Sequence, residues 1–271
     1  MARDLRRLLI APERLAGSGT LVALESAEHH YLSRVLRLRA GDRFAITDGA
    51  GRLWSARLNA AAAAAGVEAV AELEQPLEHP LECQVRPAPA LTLAVAMPRR
   101  DGEVLARMAC ELGIDGLRPL QAARSTGGER LRCERLELVL REAVEQCERL
   151  WLPALLPLQR ATALFEAPLS GVGLLATTRT AGLPLLDQEL AALAAPESQL
   201  TQRLSGEVTL AIGPEGGWSP DEEATAIRAG WRPVSLGPTI LRVSTAAVAG
   251  TAGLVRWRLG LTCPSCSSPS P

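Results

Sequence analysis

The chain reads as an α/β protein, with a small β-rich amino-terminal domain ahead of a larger domain built on a parallel sheet. Three observations predict this. From Leu91 onward, apolar runs of strand length alternate with amphipathic helical stretches. Two late apolar runs end in backbone-rich loops, Gly213-Pro214-Glu215-Gly216-Gly217 and Gly237-Pro238. Residues 1–85 instead hold short β runs around one helix, with the turn-rich Asp48-Gly49-Ala50-Gly51 joining two of them. At 271 residues the chain accommodates one large or two modest domains, either of which can bury a core.

In the amino-terminal domain, Ser26 starts a helix through His29, His30, Leu32, Val35 and Leu36, which Ala40-Gly41-Asp42 ends. Strands follow at Arg43 to Thr47 and Leu53 to Leu58, with another at Val67 to Leu73; the Ala60 to Ala65 run is a loose loop or short helix. Four prolines between Pro76 and Pro89 mark a linker. The second domain, 86–261, opens with a strand from Leu91 to Met97, then a helix from Glu103 to Leu112 that stops at Gly113. Next come a strand at Gly116 to Leu120, a long helix over about Cys133 to Leu150, a strand at Ala154 to Leu158, a short helix and a strand at Val172 to Thr177. Residues 262–271, rich in proline and serine, read as a disordered tail.

The segment Thr209 to Thr251 is the most informative. A buried strand, Val208 to Ile212, breaks at the glycine loop. Ser219 caps the following helix, Pro220 takes its first position and Glu222 closes a capping box. A second strand, Pro233 to Leu236, ends at Gly237-Pro238, and a helix of small residues begins near Ser244, so two strand ends offer loops side by side. Glycine lets a ligand approach the main chain closely, and a crevice at the carboxyl ends of parallel strands is where a cofactor sits. The pattern is neither GxGxxG nor a phosphate-binding GxxxxGK[ST] loop. An ordinary strand-to-helix turn is the competing reading of the glycines alone.

Composition narrows the chemistry. All 29 basic residues are arginine, which excludes lysine Schiff-base and lysine general-base catalysis, and the net charge of −1 exerts no global pull on nucleic acid. The six cysteines show no framework spacing beyond Cys263-Pro-Ser-Cys266, which lacks partners for a tetrahedral metal site, so no metal is expected and the thiols read as reduced. Charges are too frequent near the amino terminus for a signal peptide and no window of about 18 apolar residues exists, so a cytoplasmic protein with no membrane contact is expected. Arg34, Arg37 and Arg39 beside His29 and His30 suit phosphate contacts or a solvated helix face; the domain's ten arginines are balanced by eleven acids. Arg124 and Arg130 flank Ser125-Thr126-Gly127-Gly128, a basic loop suited to RNA or to solvent.

Four blocks in order, ELGIDGLRPL (Glu111 to Leu120), EAVEQCERLWLP (Glu142 to Pro153), IGPEGGWSPDE and LGPTILR (Leu236 to Arg242), resemble the SPOUT class of methyltransferases, and within it the bacterial 16S ribosomal RNA uridine-N3 methyltransferases, over about residues 5 to 260. HHYLSRVLRLRAGDRFAITDGAG resembles that family's PUA-like RNA-docking domain. The resemblance implies a carboxy-terminal deep trefoil knot, a homodimer, S-adenosylmethionine as cofactor and the small ribosomal subunit (30S, through its 16S rRNA) as partner. It departs from the family at Thr239 and Ser244, where arginine and glutamate are usual, and at MPRRDGE, where the family carries lysine. These departures keep open a second reading, an RNA-binding or ribosome-assembly protein that retains the fold without catalysis.

Methylation at uracil N3 requires loss of the imide proton and alignment of N3 with the sulfonium methyl; alignment supplies roughly 7 to 11 kcal/mol in well-oriented model reactions. Arg242 is the candidate for stabilising the uracil anion or gripping phosphate, with a structural salt bridge as its alternative. Glu145 and Glu215 are the acidic candidates for a base; Glu215 suits a backbone-binding role better, and hydroxide is an alternative to either. Cofactor contacts are expected from Thr177, Gly213, Pro214, Glu215, Gly216, Gly217, Leu236, Gly237, Ile240 and Leu241, mostly through backbone, with Ile240 and Leu241 walling the adenine.

Overall fold

The structure, a computed structural model, describes residues 5–59, 69–125, 132–178, 180, 182–195 and 206–262. Arg130, the Ala60 to Ala65 run, Cys263, Cys266 and the rest of the tail beyond Thr262 lie outside the described residues. The chain divides into two compact units, Met1–Arg86 with Arg141–Leu152, and Pro87–Leu140 with Pro153–Pro271.

The first unit holds β1 (Arg7–Leu9), α1 (Pro12–Leu15), β2 (Leu21–Ala23), α2 (Ser26–His30), β3 (Arg43–Thr47), β4 (Arg52–Asn59), β5 (Val70–Leu73) and β6 (Glu82–Cys83). Its sheet runs β1-β3-β4-β5-β2 with β6 on β4; among the described residues β1 and β3 pair in parallel and the other pairings are antiparallel. Phe44, Ile46 and Trp54 alternate onto one face and pack with Leu8, Ile10 and Leu32, while Ala45 and Leu53 on the other face are buried with Leu150, so β3 and β4 are covered on both faces. The expected single helix from Ser26 is shorter and of two kinds. Glu28 accepts from the amide of Glu25 at its start, and Tyr31–Val35 widens into a π-turn that Arg37 terminates in the left-handed region at φ 59°.

The second unit holds β7 (Ala90–Ala96), α3 (Gly102–Leu112), β8 (Gly116–Gln121), α4 (Cys133–Cys147, whose last turns join the first unit), β9 (Ala154–Leu155), β10 (Gln159–Arg160), α5 (Ala161–Glu166), β11 (Val172–Ala176), α6 (Leu186–Ala194), β12 (Glu207–Ile212), α7 (Pro220–Arg228), β13 (Arg232–Val234) and α8 (Val243–Thr262). The expected long helix ends three residues before Leu150 because Glu148 turns left-handed at φ 62°. The strand expected at Ala154 to Leu158 stops at Leu155, and a second short strand, β10, follows beyond it; both pair with β8.

The sheet of this unit is parallel throughout, in the order β10-β8-β7-β12-β11-β13 with β9 on β8. Leu174, Leu210, Leu93 and Leu117 stand in register across four strands and are fully buried. β12 and β13 are not neighbours, contrary to the expectation of two adjacent loops; β11 lies between them. Three strand ends, rather than two, therefore bring their loops together at one edge. The small face of α8 permits this packing: a Cβ at Gly250 would stand 2.4 Å from Leu210 Cδ2, and one at Gly253 would stand 3.2 Å from Leu186. Among the described residues no helix is long and apolar enough to cross a membrane.

Candidate functional site

The three loops enclose a cavity of about 310 Å³, near the lower end of the roughly 300–1,000 Å³ usual for small-molecule sites. The loop after β11 contributes Thr177, Thr178 and Thr180, the loop after β12 contributes Gly213 to Trp218, and the loop after β13 contributes Leu236, Gly237, Thr239, Ile240 and Leu241. All ten residues expected to bind a cofactor line it.

Each loop is held by bonds that the local sequence makes possible. The carbonyl of Pro214 accepts from the amide of Gly217 at 2.8 Å, closing a turn in which Gly217 takes φ 72°. Trp218 folds under this turn and its indole N–H donates to the carbonyl of Ala176 at 3.0 Å, fixing the β12 loop to the end of β11. Gly213 leaves room for that indole: a Cβ there would stand 3.0 Å from the ring. Phe165 meets Trp218 and Trp231 edge-on, with ring centroids 5.3 and 5.2 Å away, and supports the floor. The capping box at α7 forms as expected, Ser219 Oγ accepting from the amide of Glu222 at 3.2 Å and the Glu222 carboxylate accepting from the amide of Ser219 at 2.8 Å.

Glu222 also accepts from the amide of Ala123 at 2.7 Å, so one buried carboxylate joins the loop after β8 to the start of α7. Arg124, in the same loop, donates to the carbonyls of Gly216 at 3.0 Å and Trp218 at 3.1 Å and lines the cavity. Sequence reasoning placed Arg124 on RNA; the geometry occupies its guanidinium with the glycine loop.

The lining is apolar along Ile212, Leu236, Ile240, Leu241, Val243 and Ala246, and Ile240 remains 66% exposed at the rim. Its side-chain charges are Glu215, Glu223 and the already bonded Arg124. This arrangement suits a flat apolar ring system bonded to backbone groups and carrying positive charge. It does not suit a polyphosphate, which needs free cationic donors. Glu223, Trp218, Thr178 and Thr180 escaped the sequence reading; a Ser-capped helix directly after the glycine loop was the available signal for Glu223.

The two residues nominated for catalysis are placed differently. Arg242 follows Leu241 of the lining, is exposed, and makes no side-chain hydrogen bond or ion pair with another described residue, so the salt-bridge alternative finds no support. Glu145 sits in the first unit and accepts from the amide of Leu9 at 2.8 Å; burial raises its carboxyl to about 7. Arg34, in the π-turn of the first unit, and Arg37 and Arg39 just after it are exposed, and none forms an ion pair with a described residue. No group of three His, Cys, Asp or Glu side chains that could hold a metal occurs among the described residues.

A family model described as an RNA methyltransferase domain matches residues 86–254, and one described as an RNA methyltransferase PUA domain matches residues 24–63. The chain is similar to the ribosomal RNA small subunit methyltransferase E of Synechocystis sp., at 38% identity over 89% of this chain and 74% of the relative. The protein of the same description from Mycobacterium bovis is 29% identical over 96% of each chain. Among solved structures, the ribosomal RNA small subunit methyltransferase E of Neisseria gonorrhoeae, bound to S-adenosylmethionine, superposes with a TM-score of 0.71 at 25% identity, covering 92% of this chain and 96% of that one.

Proposed function

The chain belongs to the ribosomal RNA small subunit methyltransferase E family, and from that membership we propose that it methylates N3 of a specific uridine in 16S rRNA, using S-adenosylmethionine. The observation that carries this reading is the cavity at the ends of β11, β12 and β13, with its apolar walls, backbone-rich turns and acidic rather than basic charge. Those features fit an adenosine bearing a sulfonium. When bound, S-adenosylmethionine supplies an electrophilic methyl group. Gly213, Gly216, Gly217, Leu236 and Leu241 present backbone to it, Ile240 and Leu241 wall its ring, and the Trp218 and Arg124 bonds hold the turn in shape.

Arg242 stands one residue beyond the lining with its guanidinium uncommitted among the described residues, and it stabilises the negative charge that builds on uracil as the N3 proton leaves to hydroxide. Glu145 is occupied by Leu9 and serves as no base in this scheme. Arg34, Arg37 and Arg39 contact phosphates of the RNA, positioning it without reading its bases. The same reading carries the family's trefoil knot, a homodimer and a cytoplasmic site of action on the 30S subunit; the close approach of α8 to β12 at Gly250 supports the tight packing a knot requires.

Incubating the protein with labelled S-adenosylmethionine and 30S subunits lacking the modification, then identifying the product nucleoside by mass spectrometry, tests the reading. N3-methyluridine is expected. Cofactor binding without transfer to any ribosomal RNA would instead favour the non-catalytic assembly role.

A further inference from the structure

The cavity holds one carboxylate that no cofactor contact above uses. Glu223, on α7, lines it, and the Thr177 hydroxyl at the end of β11 donates to Glu223 Oε1. The other carboxylate oxygen has no partner among the described residues. Arg124, the arginine of the lining, forms no ion pair with it: its guanidinium keeps its charge but is directed at the Gly216 and Trp218 carbonyls. An unpaired carboxylate oxygen of Glu223 therefore faces a cavity that Ile212, Leu236, Ile240 and Leu241 wall on the apolar side and threonines, Glu215 and Arg124 line elsewhere, where water screens it less than at an open surface.

We infer that Glu223, held by Thr177, makes this site favour the charged methyl donor over the product left after transfer, a reading that rests on the cavity's being the S-adenosylmethionine site. Donor and product share the adenosine, the α-amine and the α-carboxylate. They differ by one methyl and one charge. Transfer breaks the sulfur–carbon bond, leaves its electron pair on sulfur as a neutral thioether, and forms a carbon–nitrogen bond at N3, whose proton has gone to solvent. Positive charge leaves the cavity in that step, and with it the attraction to Glu223. The carboxylate thus selects substrate and eases product exit by the same interaction. Thr177 restricts the rotamers from which it acts, lowering the entropy cost of presenting it.

Calorimetric titration of the full-length protein and its Glu223→Gln variant tests this, with S-adenosylmethionine, S-adenosylhomocysteine and sinefungin, whose ammonium group replaces the sulfonium methyl. Gln keeps the shape and can still accept from Thr177. The variant should bind S-adenosylmethionine and sinefungin about fivefold more weakly, the upper range for a partly exposed ion pair, with S-adenosylhomocysteine changed by less than about twofold. Raising salt from about 0.05 to about 0.5 M should narrow the donor-to-product affinity ratio in the wild type and not in the variant. Equal weakening for all three ligands would overturn the inference by assigning Glu223 to a shared group, as would unchanged affinities. A wild-type protein that binds none of them would remove the cofactor reading itself. Thr177→Val, which keeps the charge and frees its rotamers, should preserve the order of the three affinities; an order matching Glu223→Gln would refute the role given to the carboxylate.

Discussion

Glu145 accepts the amide proton of Leu9 at 2.8 Å, and Arg141, one helical turn earlier, donates to the carbonyl of the same residue at 2.8 Å. β1 is the edge of its sheet, so these side chains satisfy backbone groups that a neighbouring strand would otherwise have to meet. Arg7 extends the contact by donating to the Glu148 carbonyl at 2.5 Å and to its carboxylate at 3.3 Å. The carboxy-terminal turns of α4 thus complete the first unit.

Burial raises the Glu145 carboxyl to about 7, against the Leu9 amide and Arg141, which lower it. The folded value lies above the ordinary 4.5, so between these values the folded state holds more protons than the unfolded one. Stability must therefore fall as pH rises through this window, by up to about 3 kcal/mol at its upper end. Glu145→Gln keeps an acceptor for Leu9 without a titrating charge. Urea unfolding midpoints should decline from pH 5 to 7.5 in the wild type and run flatter in the variant; parallel profiles would show that Glu145 titrates normally.

Arg124 and Gly216 act on the same turn. A Cβ at Gly216 would stand 3.2 Å from Arg124 Cβ, within the span of a guanidinium that bonds the Gly216 and Trp218 carbonyls. Arg124→Ala should weaken S-adenosylmethionine binding by about tenfold in the absence of RNA, through two lost charge-assisted bonds. Gly216→Val should do the same by displacing Arg124. The double variant should be little worse than either single one, because both changes destroy one contact. Calorimetry decides the point: an Arg124→Ala protein with wild-type cofactor affinity would return that residue to an RNA role alone.

Legibility in the sequence followed sequence distance. The strands, the parallel sheet and the Ser219 cap announce themselves within a few residues, through apolar runs, glycine stops and the S-P-D-E signature. Residues of the glycine loops could be placed together because each loop is contiguous. Glu223, Thr177 and Trp218 meet only because β11 is inserted between β12 and β13, and no local pattern encodes that order. The same holds for the Arg141–Leu152 segment, whose partners Arg7, Leu9 and Gly49 lie more than a hundred residues away. Glu145 looked like an acid near a site; its role at a sheet edge is a long-range fact.

Arg242→Ala should separate binding from chemistry. The residue lies beyond the cavity lining and has no side-chain partner among the described residues, so its loss should leave the cofactor affinity within about twofold. Methyl transfer should fall by about a hundredfold or more, the usual cost of one preorganised group opposite developing negative charge. Single-turnover transfer to 30S subunits, run beside calorimetry, measures both. Wild-type transfer would remove Arg242 from the mechanism, whereas a loss of cofactor binding would reassign it to the cavity wall.

Asp115 and Arg258 test how the catalytic unit is closed beneath its site. Arg258, on α8, pairs with the Asp115 carboxylate while its other nitrogen donates to the Gly113 carbonyl at 2.9 Å, and Asp115 accepts from the amide of Leu91 at 2.9 Å. Both side chains are nearly inaccessible, at 7% and 3%. Removing one partner strands a buried charge, so Arg258→Met should cost about 3–5 kcal/mol. Converting Asp115 to Asn in the same chain removes the orphaned charge yet retains an acceptor for Leu91, and should recover a substantial part of that loss. Chemical unfolding of the single and double variants measures the difference. A double variant as unstable as Arg258→Met would mean that the arginine stabilises α8 through its donation to the carbonyls of Gly113, at 2.9 Å, and Pro89, at 3.2 Å, and not through the ion pair.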